Sequence, residues 1–247
     1  MQIERCPYCG STNMGIGWQM GNAQLFPDLY AYHSTSSGSA IKQIFCRDCG
    51  SVIRSVVAHP ELFPRFGEVR REELLEWLNM NGILLCNESD ELPSLCSLGY
   101  GMEDIVSLIE RKEAFYCKAY KKRSTFFSVR TYQLLAHCRP QKSPPEEARR
   151  VLLAMKDKEL VDKEELKASL GMNKKQFDRA FDFLLENLYI TAIGGRKINP
   201  NWYGYLYCTA EVWKRGVKGL HISDYRTALW ELVGQSMGEP AFMALIK

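Results

Sequence analysis

The sequence holds no apolar run approaching the roughly 20 residues that a bilayer-spanning helix needs, so no membrane partner is expected. Its start, Met1-Gln-Ile-Glu-Arg-Cys6, lacks the apolar core of a secretory signal, which makes the cytoplasm the expected location. Strong charge of either sign is also missing. Against 32 Lys and Arg stand 29 Asp and Glu, a net +3 that says little about partners. No Gly-rich phosphate cradle is present and no Ser/His/Asp or Cys/His set stands out, so nucleotide-driven chemistry and nucleophilic hydrolysis are not expected. Nor is the composition that of a disordered chain. With 46% hydrophobic and 25% charged residues over 247 positions, the chain can bury a sizeable core, in two domains or in one with a small appendage.

Cysteine, by contrast, is plentiful: Cys6, Cys9, Cys46, Cys49, Cys86, Cys96, Cys117, Cys138 and Cys208. Without a secretory signal a disulfide framework is not expected, and the odd number agrees. Four of them form two identical knuckles, Cys6-Pro-Tyr-Cys9-Gly10 and Cys46-Arg-Asp-Cys49-Gly50. The tight turn lets both thiolates of a knuckle point at one ion, and the trailing glycine lets the backbone fold back past the sulfurs. Cys6, Cys9, Cys46 and Cys49 are therefore the expected ligands of one structural Zn2+, with iron in a rubredoxin-like tetrathiolate as the alternative. With all four positions taken by protein ligands, no site remains for a catalytic water. A redox-active C-x-x-C needs only one pair and a βαβ context that is absent here. Cys117 and Cys208 read as small buried hydrophobes on strands, and the neighbours His137 and Cys138 point apart rather than forming a base and nucleophile.

Residues 1–58 read as a zinc ribbon. Strand-like stretches at 14–18, 41–45 and 51–57 place the knuckles at the tips of short antiparallel strands. C-P-x-C-G near the start, the Phe26-Pro27 step, and I-x-C-x-D-C-G followed by a hydrophobic strand carry a resemblance over about the first 60 residues. The segment resembles bacterial zinc-ribbon proteins labelled transcription factor IIIB-like. That implies the ribbon fold and, among ribbons generally, a DNA, RNA, polymerase or other protein partner.

Charge is unevenly distributed. Residues 61–110 carry three arginines against eleven acids, a net −8, and residues 111–150 carry eleven cations against three acids, a net +8. Either the two blocks face each other or are solvated surface, or the second is a basic face for nucleic acid. Within the mixed α/β connecting segment 59–142, a helix is expected at 71–78, a strand at 82–86 and a short helix at 102–109. A hairpin formed by 114–120 and 125–129 follows, and then a helix at 131–138. Its turn carries Lys121, Lys122 and Arg123, a solvated tip or a finger that grips a phosphate backbone.

Residues 143–247 give the strongest functional hint. Pro144-Pro145-Glu146-Glu147 opens a helix, Asp162 can cap a second over 163–170 closed by Gly171, and Asn173 can cap a third. In the third, Phe177, Ala180, Phe181, Leu184, Leu185 and Leu188 recur at helical spacing. A strand at 189–193, a Gly194-Gly195 turn and a strand at 202–209 follow. Three helices and then a two-stranded wing is the order of a winged helix-turn-helix. In that fold Lys174, Lys175 and Arg179 would enter the major groove and Arg196 and Lys197 on the wing would meet a phosphate, while Asp178 and Asp182 oppose the role. Alternating Trp202, Tyr203, Tyr205 and Tyr207 read as core, or as a wall that stacks a flipped base. A final amphipathic helix over 223–233, with Ala228, Leu229 and Leu232 inward, is expected to pack on the winged helix.

A basic hairpin before T-F-F-S, then P-E-E-A-R-R-V-L, E-L-K-A-S-L-G, K-x-F-D-x-A-F-x-x-L and an L-Y-I strand carry a second resemblance, from Ala114 to about Gly238. This half resembles the winged-helix proteins related to AlkZ and YcaQ, DNA glycosylases that act on crosslinks. Those enzymes carry a short Gln-x-Gln or Gln-x-Asp motif; neither is read here and Gln133-Leu-Leu is no substitute, so a non-catalytic relative is expected. The whole is thus read as an α+β chain, with a zinc ribbon, a mixed α/β segment and a winged helix-turn-helix domain. Its expected function is non-enzymatic nucleic-acid binding in transcription control or DNA maintenance, on DNA more than RNA. A protein-docking module and a glycosylase-like hydrolase are the alternatives.

Overall fold

The computed structural model describes residues 5–19, 39–60, 66–199 and 202–247. It divides the chain into two compact units, Met1–Val69 and Arg70–Lys247. The Phe26-Pro27 step lies outside the described residues.

In the first unit, β1 (Met14–Gln19), β2 (Ile41–Cys46) and β3 (Val52–Val57) form an antiparallel sheet in that order. Opposed residues share a face. Ile16, Ile44 and Arg54 make one cross-strand row, and Trp18, Lys42 and Val56 the next. On the other face the ring of Phe45 lies against Gly15, where a Cβ would come within 2.7 Å of Cζ, so the glycine is what admits the ring.

Helix α1 (Phe66–Asn81) runs across the boundary at Arg70, and the second unit continues with β4 (Ile83–Leu85), α2 (Met102–Glu110), β5 (Ala114–Cys117), β6 (Thr125–Ser128) and α3 (Val129–Cys138). Then come α4 (Glu146–Met155), β7 (Val161–Asp162), α5 (Lys163–Leu170), α6 (Lys174–Glu186), β8 (Ile190–Asn199), β9 (Trp202–Thr209), α7 (Ala210–Lys214) and α8 (Tyr225–Leu245). Two antiparallel sheets result, ordered β4-β6-β5 and β7-β9-β8. No helix among the described residues is long and apolar enough to cross a membrane.

The short strands Ile83-Leu-Leu85, Ala114-Phe-Tyr-Cys117 and Thr125-Phe-Phe-Ser128 are buried throughout. A strand buried on both faces reads as a continuous apolar run, and this sheet is a wall between two cores. Leu84, Tyr116 and Phe126 face one core with α1, α2, α4, α5 and α6, whereas Leu85, Phe115 and Phe127 face the other with α3, α7 and α8. The segment read as a connector, 59–142, thus supplies from its residues 70–142 the central sheet of the unit, and these share both cores with the residues that follow.

Two further expectations change. Gly194-Gly195 is not a turn but lies inside β8, beside a bulge between Ala192 and Gly194. A Cβ on Gly195 would sit 2.7 Å from Val106 Cγ1, so this glycine permits the close approach of α2 to the strand. The last helix shares its core with Leu188 and Cys208 of the expected winged-helix segment, but its main partner is α3. It runs on to Leu245 across a break at Gly238 (φ 67°) and packs on α3, burying Leu229, Val233, Phe242 and Leu245 with Tyr132, Leu134 and Leu135.

Candidate functional site

The two knuckles fold alike. The Cys6 amide donates to Ser11 O and the Gly10 amide to Cys6 O; the Cys46 amide donates to Ser51 O and the Gly50 amide to Cys46 O. Gly10 (φ 72°) and Gly50 (φ 74°) take the left-handed turn that the returning chain requires. The four sulfurs all lie within 4.8 Å of one another, with Cys6–Cys49 at 3.7 Å and Cys9–Cys46 at 3.5 Å. A tetrahedral ion with metal–sulfur bonds of about 2.3 Å sets its sulfurs about 3.8 Å apart, so the set fits a tetrathiolate metal. Asp48 braces one knuckle against the chain after the other, accepting from Ser11 Oγ and, at 2.8 Å, from Asn13 Nδ2. Those two bonds hold its carboxyl below the usual carboxylate range. The Ser51 hydroxyl and amide pull the Cys49 thiol down to about 6. Cys9 moves up to about 12, because its bonds to the Cys46 and Cys49 sulfurs outweigh the lowering effect of the Ser11 amide. Crowded sulfurs of this kind share negative charge only around a cation.

The second cluster of interest is α6. The Asn173 side chain accepts from the Gln176 amide at 2.9 Å and starts the helix, and Phe177, Ala180, Phe181, Leu184 and Leu185 bury its inner face. Each of its three carboxylates meets a lysine from elsewhere: Asp178 with Lys163 of α5 at 2.9 Å, Asp182 with Lys118 at 2.7 Å, and Glu186 with Lys122 at 3.4 Å. The bond from Lys163 holds the Asp178 carboxyl low. Lys174, Lys175 and Arg179 are exposed and have no ion-pair partner among the described residues. Lys175 and Arg179 line a groove of about 390 Å3 with Asn173, Gln176, Pro145 and Glu147, the last two from the start of α4. The acids that opposed a binding role are neutralised, and the cations remain on the surface.

Four of the other expected contacts are engaged within the chain. Lys121 (φ 47°) and Lys122 (φ 60°) occupy a tight turn closed by the Arg123 amide on Tyr120 O. Lys121 pairs with Glu91 at 2.6 Å, and Arg123 donates to Ser89 Oγ and Glu88 O. Part of the basic block therefore faces the acidic one. Lys122 reaches the C-terminal end of α6, about 18 Å along the axis from Lys174 at a rise of about 1.5 Å per residue. Arg196 lies in β8 opposite Gly204 and pairs with Asp162 at 3.2 Å. Lys197 stands opposite Tyr203, and its side chain lies outside the described part of the structure, as do those of Trp202 and Tyr203. Tyr207 is buried against Phe181 and Tyr205 packs on Tyr116 at 4.7 Å, so these two are core and not a base-stacking wall.

Asp162 holds two roles, since its carboxylate also accepts from the Glu164 and Glu165 amides as the N-cap of α5. Asp162→Ala is expected to destabilise the unit by about 1 kcal/mol, the usual loss of such a cap, and to free Arg196. Urea denaturation of the full chain measures it, and a change within a few tenths of a kcal/mol would contradict the cap.

Cys117 and Cys208 are buried as expected, and burial raises both thiols to about 12. His137 stacks on Tyr225 at 4.0 Å, with Nδ1 2.7 Å from Gln133 O. One Gln-x-Asp string that the sequence reading passed over is present, Gln176-Phe177-Asp178. It falls on α6, where residues two apart point away from each other. Gln176 lines the groove and accepts from Asn173, while Asp178 turns to Lys163, so the pair does not converge on one point. The pairing of Lys118 and Lys122 with α6 carried no signal in the sequence, because they meet it only through the fold.

No curated protein matches the chain, and no solved structure does. A family model described as AlkZ related matches residues 106–235, just over half of the chain, from within α2 through the first half of α8. That span takes in the central sheet, α6 with its paired carboxylates and the β8–β9 hairpin, and by it the chain belongs to the AlkZ-related family.

Proposed function

We propose that this protein is a non-enzymatic nucleic-acid-binding protein that reads duplex DNA in preference to RNA, serving transcription control or DNA maintenance. The observation that carries the reading is the charge state of α6, whose carboxylates are all engaged by lysines from other elements while Lys174, Lys175 and Arg179 stay exposed. The helix–strand–helix–helix–hairpin order of α4 to β9, with the sheet ordered β7-β9-β8, supports a winged helix in which α6 is the recognition helix and β8–β9 the wing. Membership of the AlkZ-related family agrees with a DNA partner. The divergent side chains of Gln176 and Asp178 argue against glycosylase chemistry at that string. In the N-terminal unit we assign the tetrathiolate to one structural Zn2+ within a zinc ribbon. Lys121, Lys122 and Arg123 anchor the hairpin to its acidic neighbours in this scheme.

Titration of short duplex DNA across a salt series tests it. Each phosphate contact releases counterions, so Lys175→Ala and Arg179→Ala are each expected to reduce the slope of log affinity against log salt by about 1. Lys158→Ala, far from α6 in sequence, leaves the slope unchanged. No duplex binding by the parent protein at low salt would overturn the proposal and favour a protein-docking role.

A further inference from the structure

We infer that the face of the N-terminal sheet carrying Ile16 and Trp18 is a second nucleic-acid surface, one that takes a single strand by stacking a base on Trp18. On this face the side chains of Ile16, Trp18, Lys42, Ile44, Arg54 and Val56 stand in two cross-strand rows. Trp18 is 57% exposed and Ile16 58%, values unusual for large apolar side chains at adjacent same-face positions of one strand. The opposite face has its own cover, since Phe45 folds over Gly15 and Gly17.

Charge selects the occupant. Lys42 and Arg54 are the basic side chains in the three strands, which hold no carboxylate. Asp48, the acid nearest in sequence, is engaged by Ser11 and Asn13. Lys42 Nζ lies over the Trp18 ring, 5.8 Å from its centre, so one side of the indole already draws a cation. Arg54 has no ion-pair partner among the described residues and borders the Ile16–Ile44 row. An exposed indole flanked by cations on a sheet free of acids suits a chain of stackable rings joined by phosphates. A duplex would not fit, because its bases present edges and not faces. The surface is separate from α6 and does not depend on the reading of that helix.

The test uses the full-length, metal-loaded protein and a short fluorescein-labelled oligothymidylate, read by anisotropy at low salt. Trp18→Ala is expected to weaken binding about 5- to 150-fold, the range seen when a stacked base loses its aromatic, while Trp18→Phe keeps most of the affinity. Lys42→Ala and Arg54→Ala are each expected to lower the salt slope by about 0.7, the single-strand value per phosphate contact. Lys175→Ala with Arg179→Ala should alter duplex binding and leave this titration unchanged, which separates failure here from failure of the α6 proposal. Retained metal content verifies that Trp18→Ala is folded; should it lose metal, the Lys42 and Arg54 slopes decide. Oligothymidylate binding that ignores Trp18, no single-strand binding at all, or tighter Trp18-dependent binding of polyglutamate than of oligothymidylate would each overturn the inference.

Discussion

Cys46→Ser is expected to unfold the N-terminal unit while the Arg70–Lys247 unit keeps its structure. The reason lies in what each unit buries. Of the described side chains up to residue 60, those buried are Cys6, Cys46 and Ser39, so two of the metal ligands are most of what this sheet has for a core. Three short strands with one open face do not hold together in water on hairpin hydrogen bonds alone. Domains this small ordinarily borrow stability from a metal, and structural zinc in comparable peptides supplies about 10–16 kcal/mol of folding free energy near neutral pH. Losing one thiolate from four removes most of that, and leaves a buried hydroxyl among three sulfurs that then repel one another as they ionise. The second unit has its own two cores, built from residues such as Phe115, Phe126, Phe181 and Trp213, and needs no metal. Hydrogen exchange read peptide by peptide on the full chain is the measurement. Protection should vanish over residues 41–57 and persist over 114–138, and a strong chelator should reproduce the same pattern in the parent protein. Unchanged protection of β2 and β3 in Cys46→Ser would show that the sheet stands without its metal.

The knuckles were legible because a tetrathiolate needs a fixed local spacing, and C-x-x-C-G written twice states it without help from the rest of the fold. Caps were legible for the same reason. Asp162, Gly171 and Asn173 act on amides or carbonyls a few residues away, and α5 and α6 begin and end where those residues place them. What escaped was long-range. The Gly194-Gly195 pair looks like a turn until α2 is seen lying on it, because a missing Cβ signals equally a bend in the chain or a neighbour pressed close. The acidic and basic blocks could be read as opposed or as free, and no local pattern distinguishes the two. Lys118 lies 64 residues from Asp182, and only the docking of β5 beside α6 brings them to 2.7 Å. Hence α6 looked nearly neutral in sequence and becomes a cationic surface in the folded chain. The same limit applies to the central sheet, since strands of three or four apolar residues can belong to a connector as well as to the middle of a core.

That sheet carries the second large effect. Thr191→Val is expected to destabilise the Arg70–Lys247 unit by roughly 2–5 kcal/mol, although the two side chains have nearly the same shape. Thr191 of β8 is fully buried, and its Oγ1 both accepts from the Tyr116 amide at 3.0 Å and donates to the Tyr116 carbonyl at 2.9 Å. Tyr116 lies on β5, an edge strand of the central sheet, and among the described residues no strand extends the sheet past it. One hydroxyl therefore does what a neighbouring strand would do, satisfying both backbone groups of the residue and joining the central sheet to the β7-β9-β8 sheet. A valine methyl can do neither, and each buried group left without a partner costs about 1–3 kcal/mol. For a unit of this size, the change corresponds to a fall in thermal midpoint on the order of 10 °C. Thr191→Ser is the control. It keeps both bonds and loses one methyl, so its cost should stay near 1 kcal/mol. If calorimetry finds the serine variant as unstable as the valine one, the methyl and not the hydroxyl is what matters at this junction. If the ordering holds, the Thr191 hydroxyl is the hydrogen-bonded link between β8 and β5, added to the ring contact of Tyr116 with Tyr205.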